Sequence, residues 1–420
     1  MLSKLEWSYN RLIRSLWLRA SLVGVLGGVV ALVAIPVQSL IEEPLPFNVG
    51  SEAVGEILSI LATSMLTVTI FSLSVMVSAY SAASSGVTPR ATKLIKQDPT
   101  TQNTLATFLG SFLFSLVGII ALSTDLYTEV GRFILFVATL VVIFSIVVTL
   151  LRWIEHLSGL GRVGRTTGQV EDKVRAALVD RIRCPALGGR PMASPQFLPV
   201  DANVVCTQES GYVQHVDTSA LSECGAAADR EIGVLAIPGT LVHPSRPLAW
   251  YQGPEDEQLN SRIRDAFSID VERSFDQDPR FGFSVLAEIA SRALSPGVND
   301  AGTAIDVINR MMRLLLVCSA TGPETCEEAP VHTNLQVATV ALADFFDDAF
   351  LPIARDGAGL VEVQVRLQKA LLALAENDPQ RFRVQARRCS AQALQYAEAA
   401  LQLESDKARL RQLAQRLQTS

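Results

Sequence analysis

Charge is what the first third of this chain lacks. Residues 1–155 hold 18 charged side chains, about 12%, whereas the remaining 265 hold 60, about 23%, close to the quarter usual in globular domains. Other absences exclude whole classes of chemistry. The four histidines, His156, His215, His243 and His332, have no partner at metal-ligand spacing, and Cys318 and Cys326 are too far apart for a zinc knuckle. No G-x-x-x-x-G-K-[ST], G-x-S-x-G or H-E-x-x-H run occurs, so an ATP-driven transporter, a nucleophile-elbow hydrolase and a membrane metalloprotease all lack their signatures. No lysine lies between Ala176 and Val365 to carry a tethered cofactor. A net charge of −6 and a pI of about 5.4 offer no general polyanion surface, so nucleic acid is not an expected partner. No nucleophile and base pair can be named. Neither an enzyme nor a cofactor is expected.

What stands in place of charge is hydrocarbon. Ala20 to Ile41, Ile57 to Pro89, Pro99 to Thr124 and Phe133 to Leu151 are uncharged, each close to or above the roughly 20 residues that cross a bilayer. They predict four spanning helices near 17–41, 57–80, 105–124 and 132–154. Basic residues flank one side: Lys4, Arg11, Arg14 and Arg19, then Arg90, Lys93 and Lys96, then Arg152, Arg162 and Arg165. The other loops carry Glu42, Glu43, Glu52 and Glu56, or Asp125 and Glu129 with only Arg132. The positive-inside rule therefore predicts a multi-pass membrane protein with both termini cytoplasmic. The first apolar run exceeds a signal-peptide core and has no small-x-small cleavage site, so it reads as an anchor. Trp7, Tyr9 and Trp17 among basic residues make 1–19 a candidate interfacial helix, with 20–155 the transmembrane domain.

Two spans carry further information. The first holds Gly24 and Gly28 in a G-x-x-x-G, which permits close helix approach in lipid, either within the bundle or between subunits. In the second, Thr63, Thr67, Ser74, Ser78 and Ser81 fall within roughly 60° of one another at helical pitch. Ile70 and Phe71 interrupt that polar stripe near its middle. In a channel this is a polar path with an apolar constriction that gates by dewetting. The competing reading is a dry one, in which each hydroxyl bonds back to the carbonyl four residues earlier and faces a neighbouring helix. No ionisable residue lies in the interior of any span, which disfavours a proton-coupled pump.

Beyond His156 the composition is that of a water-soluble α+β domain. Residues 156–197 read as a short amphipathic helix and a Pro/Gly-rich linker from Cys184 to Phe197. Short alternating runs (VVCT at 204–207, GYVQHV at 211–216, EIGVLAI at 231–237, PLAWY at 247–251) predict a small β-rich subdomain over 198–255. These runs weakly resemble the barrel-sandwich of lipoyl-like domains. A helical subdomain over 256–420 is predicted, with helices Asp256 to Phe275, Phe281 to Leu294, Gly302 to Cys318, Val331 to Phe350, Leu360 to Asn377 and a long one from Gln380 to Gln418. Asp276, Asp278, Glu288, Asn299 and Asp300 could supply oxygen ligands to a hard cation, but their spacing matches no calcium loop. No metal site is expected. All six cysteines fall in the predicted cytoplasmic part and should be reduced thiols.

Between two of these helices stands RALSPGVNDAGTA, Arg292 to Ala304. Ser295, Pro296, Gly297 and Val298 suit a type II turn, and Asn299 or Asp300 can cap the following helix. This motif, with SSGVTPRATKLIKQDPTTQNTLATFLGSFLF (Ser84 to Phe114) and FDQDPRFGFSVLAEIASRALSPGVND (Phe275 to Asp300), resembles the bacterial membrane-protein family catalogued as domain of unknown function 2254. The resemblance covers nearly the whole chain and implies four N-terminal spans and a cytoplasmic C-terminal domain. The chain departs from the family pattern at Gly86, usually Gln, and at Ala301, usually Pro.

Together these observations predict an α-helical membrane protein with four transmembrane helices and a cytoplasmic α+β domain, associating with the lipid bilayer and with copies of itself. The leading functional expectation is passive conduction of an ion or small solute through a pore lined by the second span, with Arg90, Lys93 and Lys96 at its cytoplasmic mouth and the soluble domain as a gating vestibule. Plain positive-inside topology also accounts for those three cations. The alternative function is a membrane-anchored scaffold or signalling protein whose cytoplasmic domain binds a protein partner.

Overall fold

In a computed structural model of the 420-residue chain, the structure describes residues 4, 6, 7, 16–38, 50–96, 98–124, 126–159, 161–193, 198–320 and 330–419. They divide into two compact units. One comprises Ser8–Ser85 and Thr92–Thr166, the other Met1–Trp7, Gly86–Ala91 and Thr167–Ser420.

Among its described residues the first unit is built of helices: α1 (Leu16–Gln38), α2 (Ser51–Gly86), most of α3 (Pro89–Lys96), α4 (Pro99–Ser123), α5 (Glu129–Gly159) and the start of α6 (Val163–Arg183). Among the described residues three helices are long and apolar enough to cross a membrane, Ser51–Ser84, Pro99–Ser123 and Glu129–Leu157. The apolar run on α1, Ser21–Val37, is shorter. Asp98 starts α4, accepting a hydrogen bond from the Thr101 amide at 3.0 Å with Pro99 in the first turn, the chemistry of a good N-terminus. α1 packs on α4 through glycines. A Cβ added at Gly27 would lie 2.5 Å from the Gly110 carbonyl oxygen, and one at Gly110 would lie 2.8 Å from Val23 Cγ1. A Cβ at Gly24 would likewise lie 2.6 Å from Leu113 Cδ1 on α4, whereas Gly28 has only ordinary contacts, so the close approach within the bundle uses Gly24, Gly27 and Gly110 and not Gly28. Leu58, Phe114 and Leu135 are fully buried beside Tyr127, whose hydroxyl donates to the Ala31 carbonyl at 2.6 Å.

The second unit contains two sheets under a helical layer. The five-stranded sheet runs β1 (Arg190–Pro191), β8 (Leu335–Val337), β4 (Ile232–Val234), β6 (Pro247–Gln252) and β2 (Ala202–Cys206). The three-stranded sheet runs β5 (Leu241–Val242), β3 (Gly211–Val216) and β7 (Phe267–Asp270). Helices α7 (Thr218–Ala227) and α8 (Glu257–Asp265) lie among the strands. Val213, Ile232, Val234, Leu248 and Tyr251 form the buried floor between them. The helical layer is α9 (Pro279–Ala293), α10 (Ala301–Ala320), α11 (Leu342–Asp356), α12 (Val361–Asn377), α13 (Pro379–Ala400) and α14 (Glu404–Thr419).

Several boundaries differ from expectation. The β region is not confined to 198–255, because β1, β7 and β8 come from outside it. The helix expected from Asp256 stops at Asp265, and strand β7 follows. The segment expected as helix from Val331 begins instead with β8, which pairs in parallel with both β1 and β4. Those parallel pairs and the intervening helices depart from a lipoyl-like barrel-sandwich. The long final helix breaks at Leu401, whose backbone is extended (φ −74°, ψ 141°). Most of the expected interfacial segment, and Cys326, lie outside the described residues. Trp7 is described, and it is not presented to headgroups. Its ring stacks on His215 at 5.4 Å, and its Nε1 donates to Asp276 Oδ2 at 3.3 Å, while Lys4 Nζ donates to the Asp265 carbonyl at 2.6 Å. An indole with an acceptor and an aromatic face at hand buries its area in protein as readily as at a bilayer surface.

Candidate functional site

On α2, burial alternates with exposure at helical pitch. Val54, Leu58, Leu61 and Met65 are buried in clusters with Phe108, Phe114, Leu135 and Ile146 of the other helices, and Ser72 and Ala83 on the same side of α2 are buried too. Thr63, Thr67, Ser74, Ser78 and Ser81 lie on the opposite, exposed side, together with Ile70 and Phe71, which are 61% and 62% exposed. The stripe is thus not consumed by packing within its own bundle. Its upper hydroxyls have partners nonetheless: Thr63 Oγ1 donates to the Ser59 carbonyl at 3.0 Å and Thr67 Oγ1 to the Thr63 carbonyl at 2.9 Å. Each still retains lone pairs for a second partner.

The C-terminal end of α2 runs into the segment 86–91, which belongs to the second unit. There Val87, Thr88 and Ala91 are buried, Arg90 forms an ion pair with Glu288 on α9, and Arg292 Nη1 donates to the Val87 carbonyl at 3.1 Å. Two of the separated sequence motifs therefore meet: the segment that follows α2 is held by the helix and turn around Arg292. Arg90 is spent on this pairing rather than standing free at a mouth. Lys93 is half-buried, and the side chain of Lys96 lies outside the described residues.

The turn itself differs from a type II turn. Gly297 does not adopt a positive φ, and the left-handed residue is Asn299 at φ 49°. Val298 and Asn299 both donate to the Ser295 carbonyl, at 3.0 and 2.9 Å, so Pro296 and Gly297 continue a helical turn. Asn tolerates the left-handed region better than most residues, which lets it close the turn. Asp300 caps α10, accepting from the Thr303 amide at 3.0 Å and its hydroxyl at 2.5 Å; these bonds hold its carboxyl below the ordinary carboxylate range.

The five oxygen residues weighed as cation ligands are dispersed. Glu288 faces Arg90, Asp276 accepts from Trp7, Asp300 caps α10, and Asp278 is buried beneath Arg273 with an Nη2 to Oδ2 distance of 2.7 Å. Burial pushes the Asp278 carboxyl above its ordinary value despite that arginine. Among the described residues no group of three His, Cys, Asp or Glu gathers to hold a metal.

Two polar clusters escape sequence reading. In the first unit, Asp98 Oδ2 lies 2.8 Å from His156 Nε2 and accepts from Thr101 Oγ1 at 2.7 Å. Arg165 Nη2 reaches His156 Nδ1 at 2.7 Å. Since a guanidinium only donates, these partners assign the neutral tautomer with the proton on Nε2. Trp153 stacks on the same ring at 5.6 Å. In the second unit, buried Glu171 accepts from Arg310 at 2.7 Å and from Arg313 at 3.1 Å. The D-P-T-T start of α4 is a legible cap, but its long-range partner His156 has no local signal.

A unit with three helices long and apolar enough to cross a bilayer, in a chain that also carries a mixed sheet-and-helix unit, defines the class: a membrane protein. The family model described as "Predicted membrane protein (DUF2254)" matches residues 13–373, and the chain belongs to that family. Among curated proteins, an uncharacterized protein of Mycobacterium bovis and one of Mycobacterium tuberculosis are each 28% identical over 373 residues, covering 84% of this chain and 70% of theirs. No solved structure matches.

Proposed function

We propose that this protein is a homo-oligomeric, channel-like protein of the bacterial inner membrane. In this reading it conducts an ion or small solute passively, without enzymatic chemistry, through a path lined by Thr63, Thr67, Ser74, Ser78 and Ser81. Ile70 and Phe71 form an apolar constriction that opens by wetting. The observation that carries the reading is the exposure of that whole stripe: a polar row on a long apolar helix, turned away from the described helices of its own bundle, is a face that a second copy would cover.

Chain topology supports four spans and cytoplasmic termini. Residues up to Trp7, the segment 86–91 and everything from Thr167 belong to one compact unit. A water-soluble unit occupies one side of a bilayer, so the chain between Trp7 and Gly86 crosses an even number of times, as does the chain from Ala91 to Thr167. With α2, α4 and α5 as spans, α1 is the fourth. The positive flanks then put that side in the cytoplasm. The chain runs from the lining helix directly into the 86–91 segment, which Arg292 and Glu288 hold. Reconstituted into planar bilayers, the Phe71→Ser variant raises conductance well above wild type; unchanged conductance in both overturns the reading.

A second reading rests on the hydroxyl bonds of Thr63 and Thr67 to the preceding turn, which satisfy both donors without water. On that view the bundle is dry and anchors a scaffold whose extramembrane unit captures a protein partner. Single cysteines at 63, 67 and 74 then stay unreactive toward water-soluble thiol reagents in the native membrane, whereas the channel reading makes them reactive.

A further inference from the structure

A cavity of about 250 Å³ opens in the second unit where α6, the end of α10, the strand-to-helix connection at 339–342 and α13 converge. Its walls are apolar, with Leu178, Ile182, Leu342 and Phe345 prominent, and two arginines line it, Arg181 and Arg381. Arg181 is 93% buried, being only 7% exposed, yet its guanidinium is poorly served. Nη2 donates to the Gln277 carbonyl at 2.8 Å, while Nη1 finds no acceptor among the described residues. A buried cation without a carboxylate bonded to it is costly and rare.

The local charge does not balance. Asp278, the acid nearest to Arg181 in electrostatic effect, is already bonded to Arg273 and to the Phe281 amide. Two guanidinium groups therefore share one buried carboxylate. Burial pulls Arg181 down to about 10, which leaves it charged at neutral pH. Arg381 adds a further cation at the cavity, with Asp378 no closer than 3.9 Å. An apolar pocket lined by two arginines, with surplus positive charge, selects an anion that carries a hydrocarbon body, and a carboxylate matches the guanidinium fork.

We propose that this cavity binds a small organic monocarboxylate, its head group at Arg181 and Arg381 and its apolar tail against Leu178 and Phe345. The site lies wholly within the extramembrane unit and does not depend on whether the membrane unit conducts.

The test uses the full-length protein in detergent, with hexanoate as probe, read by calorimetric titration and by the shift in melting temperature. Hexanoate is expected to bind saturably and raise the melting temperature, while hexanol, which lacks the charge, and acetate, which lacks the tail, bind at least tenfold more weakly. Arg381→Gln, at a half-buried side chain whose loss leaves the fold intact, is expected to weaken hexanoate at least tenfold, and Arg181→Met to abolish binding while the protein still melts cooperatively. Absence of hexanoate binding, equal binding of hexanol or acetate, or unchanged affinity in Arg381→Gln each overturns the proposal.

Discussion

Gly282 on α9 meets α6 so closely that its replacement by alanine has a calculable consequence. A Cβ there would lie 2.0 Å from Val174 Cγ2 and 3.1 Å from Val174 Cβ, against an ordinary contact beginning near 3.4 Å. The two helices must therefore part by more than an ångström, or Val174 must turn. Val174 is buried, and a β-branched side chain in a helix has one favoured rotamer, so turning is not free. Overpacking of this kind costs about 1–3 kcal/mol. Alanine returns about 1 kcal/mol through its better helix propensity. Gly282→Ala should thus destabilise by up to about 2 kcal/mol, a fall of a few degrees in Tm for a unit of this size. Val174→Ala alone should also destabilise, by about 1–3 kcal/mol, through the space it leaves. In the double variant the new methyl enters that space, so the two losses should not add; the interaction should be about 1–3 kcal/mol in the favourable direction. Melting of the four proteins by tryptophan fluorescence checks this. A rise in Tm for Gly282→Ala, or an additive cycle, would refute the packing argument.

Two further predictions concern ionisable groups. Arg273→Met leaves the Asp278 carboxylate buried without its partner and should cost about 3–5 kcal/mol at pH 7. Because burial already raises Asp278, its native form holds its proton to higher pH than the unfolded chain. The variant's deficit should therefore shrink as pH falls, and a deficit independent of pH between 8 and 5 would contradict the assignment. Asp300→Ala removes the cap of α10 and should cost about 1 kcal/mol at neutral pH. Asp300 is held below the ordinary range by the Thr303 hydroxyl and amide. Its contribution is thus present above that range and lost as pH drops below about 4, where variant and parent should melt alike.

How much of this was legible in the sequence follows the range of the interactions involved. The bilayer-length helices are announced by unbroken uncharged runs, and the structure extends them outward: α2 covers Ser51–Gly86 where the apolar core suggested 57–80. The stripe on α2 is likewise a local property, fixed by helical pitch. The β region was legible as alternation, but β1 and β8 have only two and three residues and owe their strand conformation to partners more than a hundred residues away. No window of sequence carries that. Gly297 suited a type II turn by residue type, yet the Ser295 carbonyl gains two donors when the turn stays helical and Asn299 takes the positive φ. Arg181 lies on the amphipathic helix that the sequence predicts within 156–197, and no local signal marks it. Its cavity exists only because Cys318, Leu342 and Arg381 arrive from three other elements. Trp7 was misjudged because aromatic and basic residues beside a first span look the same whether they meet lipid headgroups or, as here, His215 and Asp276.

The central claim is that the exposed stripe of α2 lines an axis shared by several copies of the chain. An electron-microscopy map of the detergent-solubilised assembly tests it most directly. The account predicts a closed ring of subunits with Thr63, Thr67, Phe71 and Ser74 of each copy facing the common axis. A monomer, or an oligomer in which those side chains face the detergent belt, would contradict it.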